Sequence, residues 1–367
     1  MQGPPHTAAP TKADNTLYGL QALRFLAALM VVVTHVLNRT VTAYPQAAVP
    51  SHQFLEAGVD IFFVISGFIM VHIIRPDSRP GAFWLQRFTR IAPLYWLATI
   101  IAFFGGLWAP HYFYGTQSIT FTLKSMFFIP TGSDMWAHPI VQQGWTLVFE
   151  FLFYTVLAFC LFLKRPFLPA AMVLVLILTA GLLVGKQVGV LGFYSDQAML
   201  LEFLLGMGLA AALREQTLPP WSGLVLAAIG LALVYLMWTA DIPYPRGLKV
   251  GLPSALVVAG MLVSEPIWRS RPWLRQVALL GDASYAIYIA HYFFVAAIAR
   301  GLEDFPAPKA GLGPWVYSIG MIVIATGAGF LAHGWIEKPL LRLVRNWLPQ
   351  KRTVRQTVPV QAVGGEV

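Results

Sequence analysis

Ten apolar segments, each long enough to cross a lipid bilayer, restrict most strongly how this chain can fold. The hydrocarbon core of a bilayer is about 30 Å thick and requires about 20 apolar residues in a helix. Because backbone polar groups in lipid must be satisfied internally, such segments fold as helices. The sequence therefore predicts an all-α, polytopic membrane helix bundle with about ten transmembrane helices, at about residues 17–37, 55–74, 84–108, 145–163, 167–186, 194–213, 221–239, 246–263, 283–302 and 313–341.

Composition supports the same fold class. Hydrophobic residues make up 57% of the 367 positions and charged residues only 11%, against about 25% charged residues in typical soluble domains. The composition therefore excludes a soluble globular protein. The single cysteine, Cys160, excludes an intramolecular disulfide and a cysteine-based metal centre, and we predict no metal site.

The distribution of Lys and Arg predicts the orientation of the bundle. If the N-terminus is cytoplasmic, 18 of the 25 basic residues lie on the cytoplasmic side of the spans, as the positive-inside rule requires. We therefore expect both termini in the cytoplasm, with a disordered segment at 1–16, the transmembrane domain at 17–348 and a basic tail at 349–367. The net charge of +9 follows from this topology, so no nucleic-acid partner is needed to explain it.

Three ionisable residues are predicted to lie at a similar depth near the outer ends of their spans: His35 in span one, Asp60 in span two and Glu150 in span four. Charged groups inside a membrane are costly and mark candidate functional sites. Arg24 and His35 fall on nearly the same helix face, about 16 Å apart along the axis. Convergence of these groups would form an acid–base site. Alternatively, His35 could be a histidine that only packs between helices, and Asp60 could be a residue exposed to water.

A second candidate site lies at the predicted cytoplasmic mouth of span three. Arg87 and Arg90 are spaced i, i+3 and therefore share one helix face, and Arg24 lies at a comparable level. Two arginines on one face can bind a phosphate through paired hydrogen bonds. The alternative is that Arg87 and Arg90 are ordinary positive-inside anchors of the helix.

Further polar and aromatic residues could support either site. Asp282, Tyr285, Tyr288 and His291 recur every third residue and predict a polar stripe that faces the bundle. Their side chains could bind a ligand or only pack against neighbouring helices. Trp145 and Tyr154, near Glu150 in sequence, could likewise be substrate contacts or core aromatics.

At these residues the sequence resembles the membrane acyltransferase 3 family, and in particular its ExoZ-like exopolysaccharide-modifying branch. The resemblance covers nearly the whole chain, in the family's order. It rests on the spacing of Arg24 and His35 and on the segments "GVDIFFVISGFIM", "RFTRIAPLYW", "GWTLVFEFLFY", "SYAIYIAH" and "EKP". One such motif would be weak evidence, whereas six in register are specific.

The resemblance implies a membrane-bound O-acetyltransferase in the bacterial cytoplasmic (inner) membrane. The implied donor is acetyl-CoA, and the implied acceptor is an extracytoplasmic polysaccharide or a lipid-linked oligosaccharide. By position, His35 matches the presumed catalytic histidine, and Arg87 and Arg90 match the arginines thought to meet the CoA phosphates. Glu150 and Trp145 match the motif of span four, whereas Gln86 stands where many relatives carry a further basic residue.

The resulting hypothesis is acyl transfer with His35 as general base, oriented by Asp60 or Glu150; the sequence leaves open which carboxylate does so. A covalent acetyl-histidine relay is an alternative chemical route. A proton-coupled secondary transporter of a small solute or lipid-linked glycan is the alternative function, because it too would need buried His, Asp and Glu. A non-catalytic lipid-binding or assembly protein is a third possibility.

Overall fold

The computed structural model describes residues 16–109, 118–133, 138–215, 217–240, 242–304 and 313–347, and in these ranges it contains helices and no strands. The all-α prediction is confirmed. The predicted N-terminal segment and the basic tail at 349–367 lie outside the described residues, apart from Thr16. The helices are α1 (Tyr18–Ala43), α2 (Ala57–Ile73), α3 (Pro80–Trp108), α4 (Ile119–Met126), α5 (Gly144–Cys160), α6 (Phe167–Val184), α7 (Gly189–Ser195), α8 (Leu200–Ala212), α9 (Pro220–Thr239), α10 (Arg246–Lys249), α11 (Gly251–Val263), α12 (Glu265–Ser270), α13 (Pro272–Leu279), α14 (Ser284–Asp304), α15 (Pro314–Ala332), a π-helix (His333–Glu337) and α16 (Lys338–Trp347).

Eight helical segments of the described residues are long and apolar enough to cross a membrane. Two shorter apolar helices, Gly144–Cys160 and Leu200–Ala212, occupy the positions of the remaining predicted spans. The ten predicted segments therefore each correspond to apolar helical structure, and the chain is a multi-pass membrane protein.

The predicted span 194–213 differs from expectation because its helix is interrupted between α7 and α8. Gln197 and Ala198 both have φ of 54°, a left-handed conformation that no helix interior adopts. The carbonyl of Ala198 lies against Gly247, where a Cβ would overlap it, and the Arg246 backbone N–H donates to the Gln197 side chain at 3.2 Å. Contact with the start of α10 thus accompanies the break, which sequence hydropathy does not reveal.

Helices α1 and α2 occupy the centre of the bundle. Helix α1 contacts α2, α13, α14 and α15, and α2 packs along α8 and α11. The α2–α8 contact is close because Gly67 lies against the backbone of Phe203 and Gly206 against the backbone of Val64. Small residues permit such close approach between membrane helices, and here they fix the position of α2 beside α1.

Two ends of the bundle can be defined from these contacts. At the N-terminal end, where α1 begins, the Glu265 carboxylate accepts hydrogen bonds from the backbone N–H groups of Tyr18 and Gly19 at 3.0 and 2.8 Å. The Gln21 side chain donates to Asp282 at 2.7 Å at the same end. The opposite end contains the last turns of α1 and the starts of α2 and α5.

Candidate active site

An arginine cluster lies in the N-terminal half of the bundle and consists of Arg24 on α1 and of Arg87 and Arg90 on α3. Arg24 and Arg87 each lie within electrostatic range of Arg90. Arg24 donates from Nη1 to the Gln21 side chain at 2.9 Å. The Nε of Arg87 is buried and has no hydrogen-bond partner among the described residues. The structure thus brings the three predicted arginines together with spare donor capacity.

Glu150 on α5 lies beside this arginine cluster. Its Oε1 accepts hydrogen bonds from the Tyr154 hydroxyl at 2.6 Å and from the Ser66 hydroxyl at 2.9 Å, and its charge acts on Arg24 and Arg87. The sequence predicts Glu150 near the outer end of its span, at the depth of His35. Because α5 begins at Gly144, Glu150 lies about 9 Å from the start of the helix. At this depth it interacts with the arginine cluster instead of with His35.

His35 lies in the half of α1 farther from its start, in a second group of polar residues. Its ring centroid is 5.3 Å from that of His291 and 5.7 Å from that of Tyr292, both on α14. Arg39, one turn further along α1, and His138, in the segment before α5, act on it electrostatically. Within the part of the chain that the structure describes, the group next to His35 is therefore an imidazole and not a carboxylate.

Asp60 does not orient His35 in the structure; it binds Arg246. Its Oδ1 accepts from Arg246 Nε at 3.1 Å and its Oδ2 from Nη2 at 2.7 Å. Arg246 also donates from Nη1 to the Glu56 carboxylate at 3.0 Å, and the fully buried Glu202 lies within electrostatic range. Asp60 points this way because it lies in the first turn of α2, and the start of α10, which carries Arg246, lies beside that turn. The predicted convergence of His35, Asp60 and Glu150 is accordingly not found, since each has different partners.

Three of the four residues of the predicted polar stripe, Tyr285, Tyr288 and His291, lie on α14 and face the bundle, whereas Asp282 precedes α14 and is exposed. The Tyr285 hydroxyl donates to the Ile91 carbonyl at 2.7 Å. The Tyr288 hydroxyl lies 3.0 Å from the Thr146 hydroxyl, and the Tyr288 ring is 6.1 Å from that of His291. These bonds hold α14 against α3 and α5. Trp145 lies in the aromatic core, in edge contact with Phe63 and Phe149.

A large apolar groove begins next to His35. Its volume is about 1210 Å³, and Tyr292, which contacts the His35 ring, is one of its lining residues. Arg39 and His138 line its polar part, and the rest of its wall is predominantly apolar. Most of the wall comes from α3, α14 and α15, and it includes Leu94, Ala98, Ile101, Phe293, Ala297 and Leu331; residues 138–142 and the π-helix complete it. Ile101, Ala297 and Leu331 are exposed on the outside of the bundle, so the groove opens sideways.

Two elements near these sites were missed or left without a role by sequence reasoning. Arg246 carries no predicted role, because an arginine at the start of an apolar segment is also the ordinary flank of a membrane span. His333, partly buried and without a predicted role, lies 2.6 Å from Glu337 across the π-helix. Single-turn π-helices occur often at functional sites, and this one lies where the groove approaches α16.

Comparison with known proteins agrees with this architecture. A family model described as an acyltransferase domain matches residues 17–334. The exopolysaccharide production protein ExoZ of Rhizobium meliloti (strain 1021) is 37% identical over 295 residues, which cover 78% of this chain and 89% of that protein. The acyltransferase MdmB of Streptomyces mycarofaciens is 25% identical, over 89% of this chain and 92% of that protein. No solved structure shows significant similarity. The family match over most of the chain, together with the ExoZ relative, shows that this protein belongs to the acyltransferase 3 family.

Proposed function

We propose that this protein transfers an acetyl group, or another acyl group, from acyl-CoA in the cytoplasm to a hydroxyl of a polysaccharide on the other side of the bacterial inner membrane. The observation that carries this proposal is the presence of two polar sites at different depths of one bundle. The arginine cluster suits a polyanion, and His35 suits proton transfer. The name of the ExoZ relative favours an exopolysaccharide as the acceptor.

In this proposal the N-terminal end of the bundle faces the cytoplasm and the arginine cluster binds the phosphates of the donor. Arginine is suited to this task because its planar guanidinium makes paired hydrogen bonds to phosphate. Arg87, with its unpaired buried Nε, is the natural first contact. Glu150 would hold Arg24 and Arg87 in place through charge while Tyr154 and Ser66 fix its carboxylate.

The thioester end of the donor would extend through the bundle towards His35. His35 removes the proton of the acceptor hydroxyl, whose oxygen attacks the thioester carbonyl. The C–O ester bond forms, the C–S bond breaks, and the CoA thiolate takes the proton back from the imidazolium. General base catalysis of this kind contributes about 10²- to 10⁴-fold to the rate.

The groove supports an acceptor that arrives on a membrane lipid. A largely apolar wall suits an isoprenoid or acyl chain, and Arg39 at the polar part suits the phosphate that joins such a chain to a glycan. An acceptor bound this way would hold its sugar beside Tyr292 and His35. The groove is thus proposed to bind the lipid chain of a lipid-linked oligosaccharide.

The experiment uses inside-out membrane vesicles from a strain of the source bacterium that lacks the gene for this protein. The strain expresses either the wild-type protein or a variant from a reintroduced gene. With [¹⁴C]acetyl-CoA, the wild-type chain should label an alkali-labile ester on glycan. His35→Ala should lower this label by at least about 100-fold, whereas His72→Ala, at an exposed histidine of α2, should not change it. Uptake of a solute without ester formation would instead establish the transporter.

The acceptor route is tested in the same vesicles. Label should appear first in organic-extractable, lipid-linked glycan, and Ala297→Trp, which fills the groove, should slow its appearance. Ala228→Trp, on an exposed face of α9 away from the groove, is the matched control. Label that enters finished polymer without a lipid-linked stage would contradict the proposed use of the groove.

A further inference from the structure

We infer that His291 is the residue that positions the catalytic imidazole: its Nε2 accepts a hydrogen bond from His35 and takes the place that a carboxylate has in a Ser-His-Asp triad. The inference rests on the proposed role of His35 as general base. It assigns the orienting role to neither of the two carboxylates that sequence reasoning favoured.

The tautomer of His291 is fixed by its own helix. Its Nδ1 lies 3.0 Å from the carbonyl oxygen of Ile287, one turn earlier on α14. A carbonyl oxygen can only accept, so Nδ1 carries the hydrogen. A neutral imidazole with Nδ1–H has its lone pair on Nε2, and Nε2 is therefore a hydrogen-bond acceptor.

This acceptor is buried and unused. His291 has 0% exposure, and its Nε2 has no hydrogen-bond partner among the described residues. A buried polar atom without a partner is costly, and in a native protein such an atom calls for an explanation, such as a catalytic role or an ordered water. A neighbouring donor that turns towards Nε2 in the working enzyme would remove that cost.

His35 is the donor within reach. The two ring centroids are 5.3 Å apart with an interplanar angle of 37°, which leaves room for an N–H···N bond between the ring edges when His35 turns about its final side-chain torsion. That torsion is broad for histidine. Among the described residues, the two carboxylates predicted to orient His35 are engaged elsewhere, because Asp60 is bound by Arg246 and Glu150 by Tyr154 and Ser66.

The bond would set which nitrogen of His35 reacts. The nitrogen that faces His291 keeps its hydrogen and donates it, so the other nitrogen presents its lone pair to the acceptor hydroxyl. When His35 takes the hydroxyl proton, the imidazolium that forms is stabilised by the same bond. His291 gains and loses no proton in this scheme and is a positioning residue.

Two variants separate positioning from packing. His291→Asn keeps an amide N–H near Nδ1 for the Ile287 carbonyl but ends short of Nε2, whereas His291→Gln reaches the Nε2 position with a polar group. In the vesicle assay we expect His291→Asn to lower the maximal rate by about 10- to 100-fold, the size of effect known for groups that orient metal-bound histidine rings. The KM for acetyl-CoA and the melting temperature should stay at wild-type values, and His291→Gln should recover at least part of the rate.

Nitrogen-15 NMR of the histidine rings provides a direct readout. With the His35 signal assigned by its loss in His35→Ala, His35 should change from one tautomer in the wild type to a mixture in His291→Asn. A wild-type maximal rate in His291→Asn, or an equal loss in both His291 variants with a lower melting temperature, would overturn the inference. Full activity in His35→Ala would instead overturn the proposed function itself, so the two failures are distinguishable.

Discussion

The buried Arg246 guanidinium and the buried His35–His291 pair differ in how completely their hydrogen bonds are made. All three guanidinium nitrogens of Arg246 donate, to Asp60, to the Glu56 side chain and to the Glu56 carbonyl. The histidine pair, in contrast, keeps an unused acceptor on His291 and has a groove beside it. Burial of an ionisable group therefore does not by itself identify a reactive site. Unused hydrogen-bonding capacity next to open space is the more specific sign.

The same contrast recurs near the N-terminal end of the bundle. Glu265 uses its carboxylate to bond the first N–H groups of α1 and lies 3.6 Å from Arg269. The arginine cluster a short distance away combines three positive charges with an unpaired Arg87 Nε. We call a group saturated when its hydrogen bonds are all made and unsaturated when a buried donor or acceptor has no partner. Substitution of a saturated group is expected to change stability, and substitution of an unsaturated group is expected to change activity.

The largest effect on stability is expected when the Asp60–Arg246 pair is broken. Arg246→Met leaves Asp60, which has 0% exposure, buried without its partner. Loss of one member of a buried pair costs about 3–5 kcal/mol. The melting temperature of the purified protein should therefore fall strongly, while the protein that remains folded should keep its acyl-transfer rate.

Arg214→Met, at an exposed arginine after α8, is the matched control and should leave the melting temperature unchanged. The opposite pattern at Arg246, a stable protein with no transfer activity, would place this pair in the catalytic machinery. It would then remove the distinction between saturated and unsaturated clusters.

The sequence predicts the existence of these clusters better than their membership. Hydropathy places the apolar helices, and spacing alone puts Arg87 and Arg90 on one face, because both depend on local periodicity. The partners of Asp60 and His35 depend on how α10 and α14 pack against α2 and α1, and no local pattern encodes this. The break at Gln197 and Ala198 is hidden for the same reason, since its contact with Gly247 is made between distant segments.

A smaller effect, confined to donor binding, is expected at the arginine cluster. Arg87→Ala combined with Arg90→Ala should raise the apparent KM for acetyl-CoA by about tenfold or more, since hydrogen bonds to charged groups contribute about 1.5–3 kcal/mol. The maximal rate should change less. The melting temperature should not fall, because like charges are removed from one another's neighbourhood.

Arg79→Ala is the control for this measurement, because Arg79 precedes α3 and is exposed. An unchanged KM in the double variant would show that Arg87 and Arg90 only anchor the helix. A large decrease in melting temperature would show instead that Arg87 and Arg90 stabilise the fold, as the saturated groups do.

The smallest effect is expected at Glu265, which lies outside the spans. Burial raises the pKa of the Glu265 carboxyl above its ordinary value, although the N–H groups of Gly19 and Tyr18 oppose this. The folded state therefore holds the proton more tightly than the unfolded state, and stability should decline as the pH rises from the ordinary carboxyl range through the raised pKa.

Glu265→Gln should remove that decline, and Glu265→Ala, which removes the acceptor for the start of α1, should lower stability by about 1 kcal/mol. Melting temperatures measured between pH 4 and pH 8 test both expectations; a steeper decline in Glu265→Gln than in the wild type would show that another group causes it. Transfer activity in both variants should match the wild type, because Glu265 belongs to the saturated class and touches neither the arginine cluster nor the histidine pair.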